Sequence, residues 1–166
     1  MIKNIIKTFL IILTLQQSLY AREINLNNLI DRAKESDKHL LVWLHKTDCG
    51  YCESMKEFTL QNDTIKLFTD KNFLYVHINV YDKDKVTYKK FVGSGREFAK
   101  NIGYDFYPSS LFFDDNRDIV FTEVGYIDNS RTPNEKRFFS ILNYIESKSY
   151  KKMDFEDYIF EIQEEL

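Results

Sequence analysis

The sequence predicts an α/β fold with a central mixed β-sheet flanked by helices. Two short apolar runs, at residues 40–44 and 73–80, have the composition of buried strands, and a helical pattern separates them. Strands connected in this way form a parallel pair with a right-handed crossover. Two further strands, at residues 109–113 and 119–124, flank the turn-prone residues 114–117, which indicates an antiparallel hairpin. A sheet that contains both kinds of pair is mixed.

The N-terminal residues differ in composition from the rest of the chain. Lysines precede the apolar run of residues 9–15, and Ala21 follows it at a plausible cleavage point. This order predicts a secretory signal peptide at residues 1–21, because the run is shorter than the roughly 20 residues of a membrane span. We therefore expect a single exported domain, residues 22–166, in the periplasm. The alternative is an uncleaved membrane anchor.

The helices are predicted from apolar residues at helical spacing and from capping residues. Ser94 and Glu97 have the spacing of a capping box, and Thr132 and Pro133 supply an N-cap and a proline at the first helical position. The charged residues 81–92 are predicted to be a connection. The predicted helices are residues 25–37, 50–60, 64–70 (capped by Asp63), 94–101, a helix that starts at residues 132–135, and 155–163 (capped by Asp154).

The composition excludes some classes of function. The 166 residues are enough for one buried core, and the charged residues, 30% of the chain, are interspersed rather than clustered. The formal net charge is −3, and no basic stripe is present. Nucleic acid is therefore not an expected partner.

The chain has two cysteines, and they form the motif Cys49-Gly50-Tyr51-Cys52 between a predicted strand and a predicted helix. The N-terminus of a helix offers unpaired N–H groups and the positive end of the helix dipole, and both favour a thiolate. A thiolate is the species that attacks a disulfide. We therefore predict that Cys49 is the nucleophile and that Cys52, one helical turn later, is the resolving thiol.

Metal and haem sites are the alternative uses of such a cysteine pair. Structural zinc usually has four protein ligands, and a second cysteine pair is missing although His39, His45 and His77 are available. Attachment of a c-type haem needs a histidine at position 53, which is Glu53. We therefore expect no metal, and no cofactor other than a redox-active Cys49–Cys52 disulfide.

Three segments resemble the thioredoxin superfamily, and the resemblance covers roughly residues 24–160. LLVWLHKTDCGYC is similar to the strand and redox motif, IGYDFYPSSLFF to the segment of the cis-proline, and DIVFTEVGY to the following strand with its terminal glycine. Among subfamilies the chain is most similar to exported thioredoxin-like proteins of the SoxW type, which also have a final segment like SYKKMDFEDYI. The resemblance implies a thioredoxin fold and thiol–disulfide oxidoreductase activity.

The resemblance also implies roles for individual residues. Pro108 corresponds to the cis-proline, so the backbone of Tyr107 is expected beside Cys49, where an extended substrate could pair with it. Gly50 and Tyr51 are expected to contact the substrate as well. Tyr104, Phe106 and Tyr107 are expected either to rim an apolar groove or to be core aromatics.

The chain departs from thioredoxin beside the redox motif. Trp43 replaces a buried aspartate that accepts a proton from the resolving thiol, and Asp48 replaces a tryptophan. We interpret Trp43 as a core residue. His77 stands where thioredoxin has a lysine in the second strand, which we expect to be buried, so a neutral imidazole could carry the proton of Cys52. The alternative is an ordinary hydrogen-bonded histidine.

The dipeptide between the cysteines bears on the direction of the reaction. Gly50-Tyr51 resembles the pair in periplasmic disulfide isomerases of the DsbC type, but a dimerisation domain is absent from the sequence. We expect a monomer that reduces disulfides or maintains thiols of exported proteins, with a membrane reductase of the DsbD type as electron donor. The alternatives are a disulfide isomerase and a non-catalytic binding module with a structural disulfide.

Overall fold

The computed structural model describes residues 21–126 and 134–164. In chain order the strands are β1 (Glu23–Asn25), β2 (His39–His45), β3 (Phe73–Asn79), β4 (Lys85–Tyr88), β5 (Phe91–Ser94), β6 (Ser109–Phe113) and β7 (Ile119–Val124). The helices are α1 (Leu26–Glu35), α2 (Gly50–Met55), which continues as a π-helical segment (Lys56–Leu60), α3 (Asp63–Asn72), α4 (Gly95–Asn101), α5 (Asn134–Glu146), a 3₁₀ turn (Ser149–Lys151) and α6 (Phe155–Glu164).

The main sheet has four strands in the order β3–β2–β6–β7. Strand β2 pairs parallel with β3 and antiparallel with β6, and β6 pairs antiparallel with β7. This arrangement confirms the predicted mixed sheet, the parallel pair and the hairpin. It places β2, the strand that leads to the cysteines, inside the sheet.

A second sheet, which was not predicted, has the order β1–β4–β5. Strand β1 pairs parallel with β4, and β4 pairs antiparallel with β5. The prediction that residues 81–92 form a plain connection is therefore wrong. These strands have only three or four residues each, which is too short for an alternating apolar pattern to be recognised.

The core consists of two apolar clusters, one on each face of the main sheet. Strand β2 contributes to both clusters and is buried along almost its whole length, as predicted. Strand β3 differs, because it is an edge strand of the main sheet and only Phe73 and Ile78 on it are buried. Tyr75 and His77 are accessible on this strand. The prediction that both parallel strands are buried is right for β2 and wrong for β3.

Capping residues set the helix starts. The capping box of Ser94 and Glu97 is present in full, and Asp154 accepts a hydrogen bond from a backbone N–H in the first turn of α6, as predicted. The cap of α3 is Asn62 rather than Asp63, since the Asn62 side chain accepts from the N–H groups two and three residues later. Asp63 is the first helical residue instead.

Two predictions fall on residues that the structure does not describe. Residues 1–20, which make up nearly all of the predicted signal peptide, lie outside the described residues, and so do Thr132 and Pro133. Within residues 21–126 and 134–164, no helix combines the length and apolar character that a membrane crossing requires.

Candidate dithiol site

The two cysteines are joined in a disulfide at the N-terminus of α2. Strand β2 ends at His45, a short loop follows, and Cys49 is the N-cap residue of the helix. The backbone N–H of Cys52 donates to Sγ of Cys49 over 3.2 Å, and the N–H of Glu53 donates to the Cys49 carbonyl oxygen over 3.0 Å. The sulfur of Cys49 thus occupies the position in which a helix N-terminus stabilises negative charge.

The two cysteines differ in their surroundings. Both cysteines belong to the same apolar core cluster, but Cys49 is 7% exposed and Cys52 only 1%. Gly50 and Tyr51 between them are exposed, Tyr51 to 67%. A partner molecule therefore meets Tyr51 and the Cys49 side of the disulfide first.

The segment before β6 reaches the disulfide. The Tyr107–Pro108 peptide bond is cis, as the resemblance implied. The carbonyl oxygen of Tyr107 lies 4.0 Å from Sγ of Cys49. The carbonyl oxygen of Pro108 accepts a hydrogen bond of 2.7 Å from the N–H of Gly125 at the end of β7, which anchors this turn to the sheet.

The three aromatic residues before Pro108 do not share one role. Phe106 is 69% exposed, while Tyr104 and Tyr107 are half-buried and pack against the core. The hydroxyl of Tyr107 donates a hydrogen bond of 2.7 Å to Asp105, and burial together with this bond raises the pKa of Tyr107. The apolar surface available beside the disulfide is therefore provided by Phe106 and Tyr51.

Trp43 lies in the core on the same face of the sheet as the cysteines. It is 5% exposed and shares an apolar cluster with Cys49 and Cys52, which agrees with its interpretation as a core residue. Its ring stacks on that of His45, with 4.3 Å between the ring centroids and 15° between the planes. Within the part of the chain that the structure describes, its Nε1 has no hydrogen-bond partner.

His77 is exposed, so the expectation of a buried imidazole in the second strand is wrong. Its Nδ1 lies 3.3 Å from Nε2 of His45, at the edge of the sheet. Burial and the neighbouring His77 lower the pKa of His45. The sequence indicated His45 only as an available zinc ligand, because the contact between the two rings depends on how β2 and β3 are paired.

The comparisons with known proteins agree with this architecture. Residues 26–138, more than half of the chain, match the family described as thioredoxin-like domain. The comparison with curated proteins gave no match.

Several solved structures have the same fold. A thioredoxin-fold protein from Helicobacter pylori is 20% identical over 76% of this chain and 81% of its own, with a TM-score of 0.61. A putative disulphide-isomerase from Bacteroides thetaiotaomicron is 21% identical over 81% of this chain and 94% of its own, with a TM-score of 0.54. A disulphide isomerase from Xylella fastidiosa Temecula1 is 18% identical over 72% and 87%, with a TM-score of 0.53. Similarity at this level of identity establishes the fold.

Proposed function

The chain belongs to the thioredoxin-like domain family, and from this premise we propose that it is a thiol–disulfide oxidoreductase acting through Cys49 and Cys52. The observation that carries the proposal is the Cys49–Cys52 disulfide, placed at the N-terminus of α2 beside the Tyr107 carbonyl oxygen. A redox disulfide has to be reached by a partner, and the exposed residues Gly50 and Tyr51 between the cysteines provide that access.

The proposed reaction starts from the reduced dithiol. The Cys49 thiolate attacks one sulfur of a substrate disulfide, the substrate S–S bond breaks, and the leaving sulfur takes up a proton. Cys52 then loses its proton and attacks Sγ of Cys49 in the mixed disulfide. The second substrate thiol leaves, the Cys49–Cys52 disulfide forms, and two electrons have passed from the protein to the substrate.

Reduction of insulin disulfides tests this proposal. With a small dithiol as electron donor, the protein should accelerate insulin reduction, and Cys49→Ser should abolish the acceleration. Cys52→Ser should instead accumulate a mixed disulfide, because the first attack remains available and the second does not. Wild-type protein that gives no acceleration over the dithiol alone would support the non-catalytic binding module.

A disulfide isomerase is the alternative enzyme. The Gly50-Tyr51 pair between the cysteines, which resembles that of DsbC-type isomerases, favours this alternative. Two of the structurally similar proteins are also described as a disulphide isomerase and a putative one. Recovery of activity from scrambled ribonuclease, measured beside the insulin assay, separates an isomerase from a reductase.

We favour the reducing direction and an exported location. The pattern of residues 1–21 and the resemblance to exported proteins of the SoxW type support a monomeric periplasmic protein that receives electrons from a DsbD-type membrane reductase. Equilibration with glutathione tests the direction, because a potential near about −270 mV indicates a reductant and one near about −120 mV an oxidant. Mass spectrometry of the exported protein tests whether it begins near Arg22.

The proton of Cys52 still requires an acceptor, and His77 remains a proposed carrier. His77 is exposed and contacts His45, whose ring stacks on Trp43 in the cluster that holds Cys52, so a carrier role would need a solvent path to Cys52. His77→Gln tests this role: release of the mixed disulfide should slow in the variant, and the difference from the wild type should shrink at low pH, because a protonated imidazole cannot accept a proton. An unchanged pH profile would assign the proton to solvent.

A further inference from the structure

The rings of His45 and His77 face each other at the edge of the main sheet. His45 ends β2, and His77 lies on the adjacent strand β3, opposite Trp43 in the parallel register. Nε2 of His45 and Nδ1 of His77 are 3.3 Å apart, with 5.5 Å between the ring centroids and 41° between the ring planes. In a hydrogen bond one ring must donate and the other accept.

We propose that His45 and His77 together bind a divalent first-row transition metal ion such as Zn²⁺ or Cu²⁺. Neither histidine belongs to the Cys49–Cys52 motif, and the inference does not depend on the proposed redox function. The expectation of no metal rested on cysteine-based sites, whereas the fold brings together two histidines that lie 32 positions apart in the sequence.

The spacing of the two nitrogens fits two ligands of one metal ion. Two imidazole nitrogens that each lie about 2.0–2.1 Å from a tetrahedral ion are separated by roughly 3.3 Å. The observed 3.3 Å matches this value and is long for a hydrogen bond between nitrogens. In the present contact the two nitrogens face each other, so both rings have to rotate before their lone pairs meet at one ion.

The surroundings of His45 prepare it as a ligand. Its ring stacks on that of Trp43, which restricts the motion of the ligand. Imidazole is a preferred donor for Zn²⁺ and Cu²⁺, with Cu²⁺ bound more tightly.

Space and charge for the remaining coordination positions are also present. A cavity of about 340 Å³ between α2 and the sheet edge is lined by both histidines, Tyr75, Glu53 and Lys56, among others. Glu53 brings a negative charge to this cavity and Lys56 a positive one. The described part of the chain holds no group of three or more potential ligands, so water would fill the remaining positions.

Metal titration of the untagged, full-length protein in its disulfide form tests the proposal. The disulfide form removes cysteine thiolates as competing ligands, and the absence of an affinity tag removes added histidines. Calorimetry with Zn²⁺ should show one saturable equivalent. Electron paramagnetic resonance with one equivalent of Cu²⁺ should show coupling to imidazole nitrogens.

Variants of the three histidines decide the location. His45→Gln and His77→Gln should each lose the saturable equivalent and the nitrogen coupling, whereas His39→Gln, at the opposite end of β2, should retain both. His77 is exposed, so the His77→Gln variant should fold. If His45→Gln fails to fold, the result for His77→Gln decides the location of the site. Absence of saturable binding in the wild type, binding that survives His77→Gln, or equal loss in His39→Gln would each overturn the proposal.

Discussion

The backbone N–H of Cys52 donates a hydrogen bond to Sγ of Cys49 across 3.2 Å. After reduction, the same N–H and the dipole of α2 act on the Cys49 sulfur, whereas Cys52 lies one turn inside the helix with 1% of its surface exposed. We predict that iodoacetamide alkylates Cys49 several-fold faster than Cys52 in the reduced protein. Quenched time points analysed by peptide mass spectrometry would measure both rates.

The single-cysteine variants are the controls for this prediction. In Cys52→Ser, Cys49 should still be alkylated at the fast rate. In Cys49→Ser, Cys52 should still be alkylated at the slow rate. Exposed acidic residues near the motif, including Asp48 and Glu53, oppose the effect of the helix dipole, so we expect a modest ratio. Equal rates for the two thiols would contradict the assignment of Cys49 as nucleophile.

A second prediction concerns the exposed apolar surface beside the disulfide. Phe106 is 69% exposed and lies one residue before Tyr107, whose carbonyl oxygen is 4.0 Å from the Cys49 sulfur. If a protein substrate covers this ring, Phe106→Ser should lower kcat/KM for insulin about tenfold, since burying such a side chain contributes about 1.5–3 kcal/mol. Reduction of a small disulfide, which cannot reach the ring, should be unchanged.

The matched control for that experiment is Phe160→Ser. Phe160 is 61% exposed but lies on α6, the last helix of the described chain. Its substitution should leave both substrates unaffected. An equal loss of kcat/KM for insulin in the two variants would mean that exposed aromatic surface in general, rather than Phe106 beside the disulfide, sets the rate.

A third prediction concerns the segment that follows α2. The hydroxyl of Thr59, in the π-helical turn, donates a hydrogen bond of 2.7 Å to Oδ1 of Asn134 in α5, and both residues are buried. Thr59→Val removes the donor without a large change of volume and leaves the Asn134 oxygen unsatisfied. The free energy of unfolding should fall by about 1–3 kcal/mol in urea titrations. Thr59→Ser, which keeps the hydroxyl, should lose less, and an equal loss in both variants would assign the effect to packing.

The central part of the fold could be predicted from the sequence because its signals are local. The apolar run of β2, the hairpin of β6 and β7 and the capping box of Ser94 and Glu97 each depend on residues close together in the chain, and the structure contains all three. The position of Cys49 at a helix N-terminus follows from the same local pattern. The placement of the Tyr107 carbonyl group beside Cys49 does not follow from a local pattern and was implied by the family resemblance.

The features that sequence reasoning missed depend on which strand lies at the edge of the sheet. An apolar composition cannot distinguish the central strand β2 from the edge strand β3, so His77 was expected to be buried. The contact between His45 and His77 follows from the parallel register, which no local pattern specifies. The small sheet of β1, β4 and β5 was missed because its strands have only three or four residues each.

The last prediction concerns His39, which begins β2 at the end of the sheet opposite the disulfide. It is 8% exposed, its ring lies 5.9 Å from that of Phe73 and 6.4 Å from that of Tyr150, and its Nδ1 has no partner among the described residues. Burial, followed by the charge of Lys148, lowers its pKa. The carboxylates of Asp115 and Glu146 act in the opposite direction and are weaker.

Since the folded state resists protonation of His39, the unfolded state binds more protons as the pH falls. The stability that neutral His39 contributes is fully present above its unfolded pKa of about 6.5. It decreases as the pH drops below that value, and the decrease ends below the folded pKa.

Urea titrations between about pH 7.5 and 5.5, above the range in which ordinary carboxylates titrate, should therefore show that the wild type loses stability as the pH falls. His39→Phe and His39→Gln, which cannot titrate, should both reduce this decline, even though their absolute stabilities differ. Part of the decline should remain, because burial lowers the pKa of His45 in the same sense. A pH dependence as steep in both variants as in the wild type would mean that His39 is protonated as readily in the folded chain as in the unfolded one.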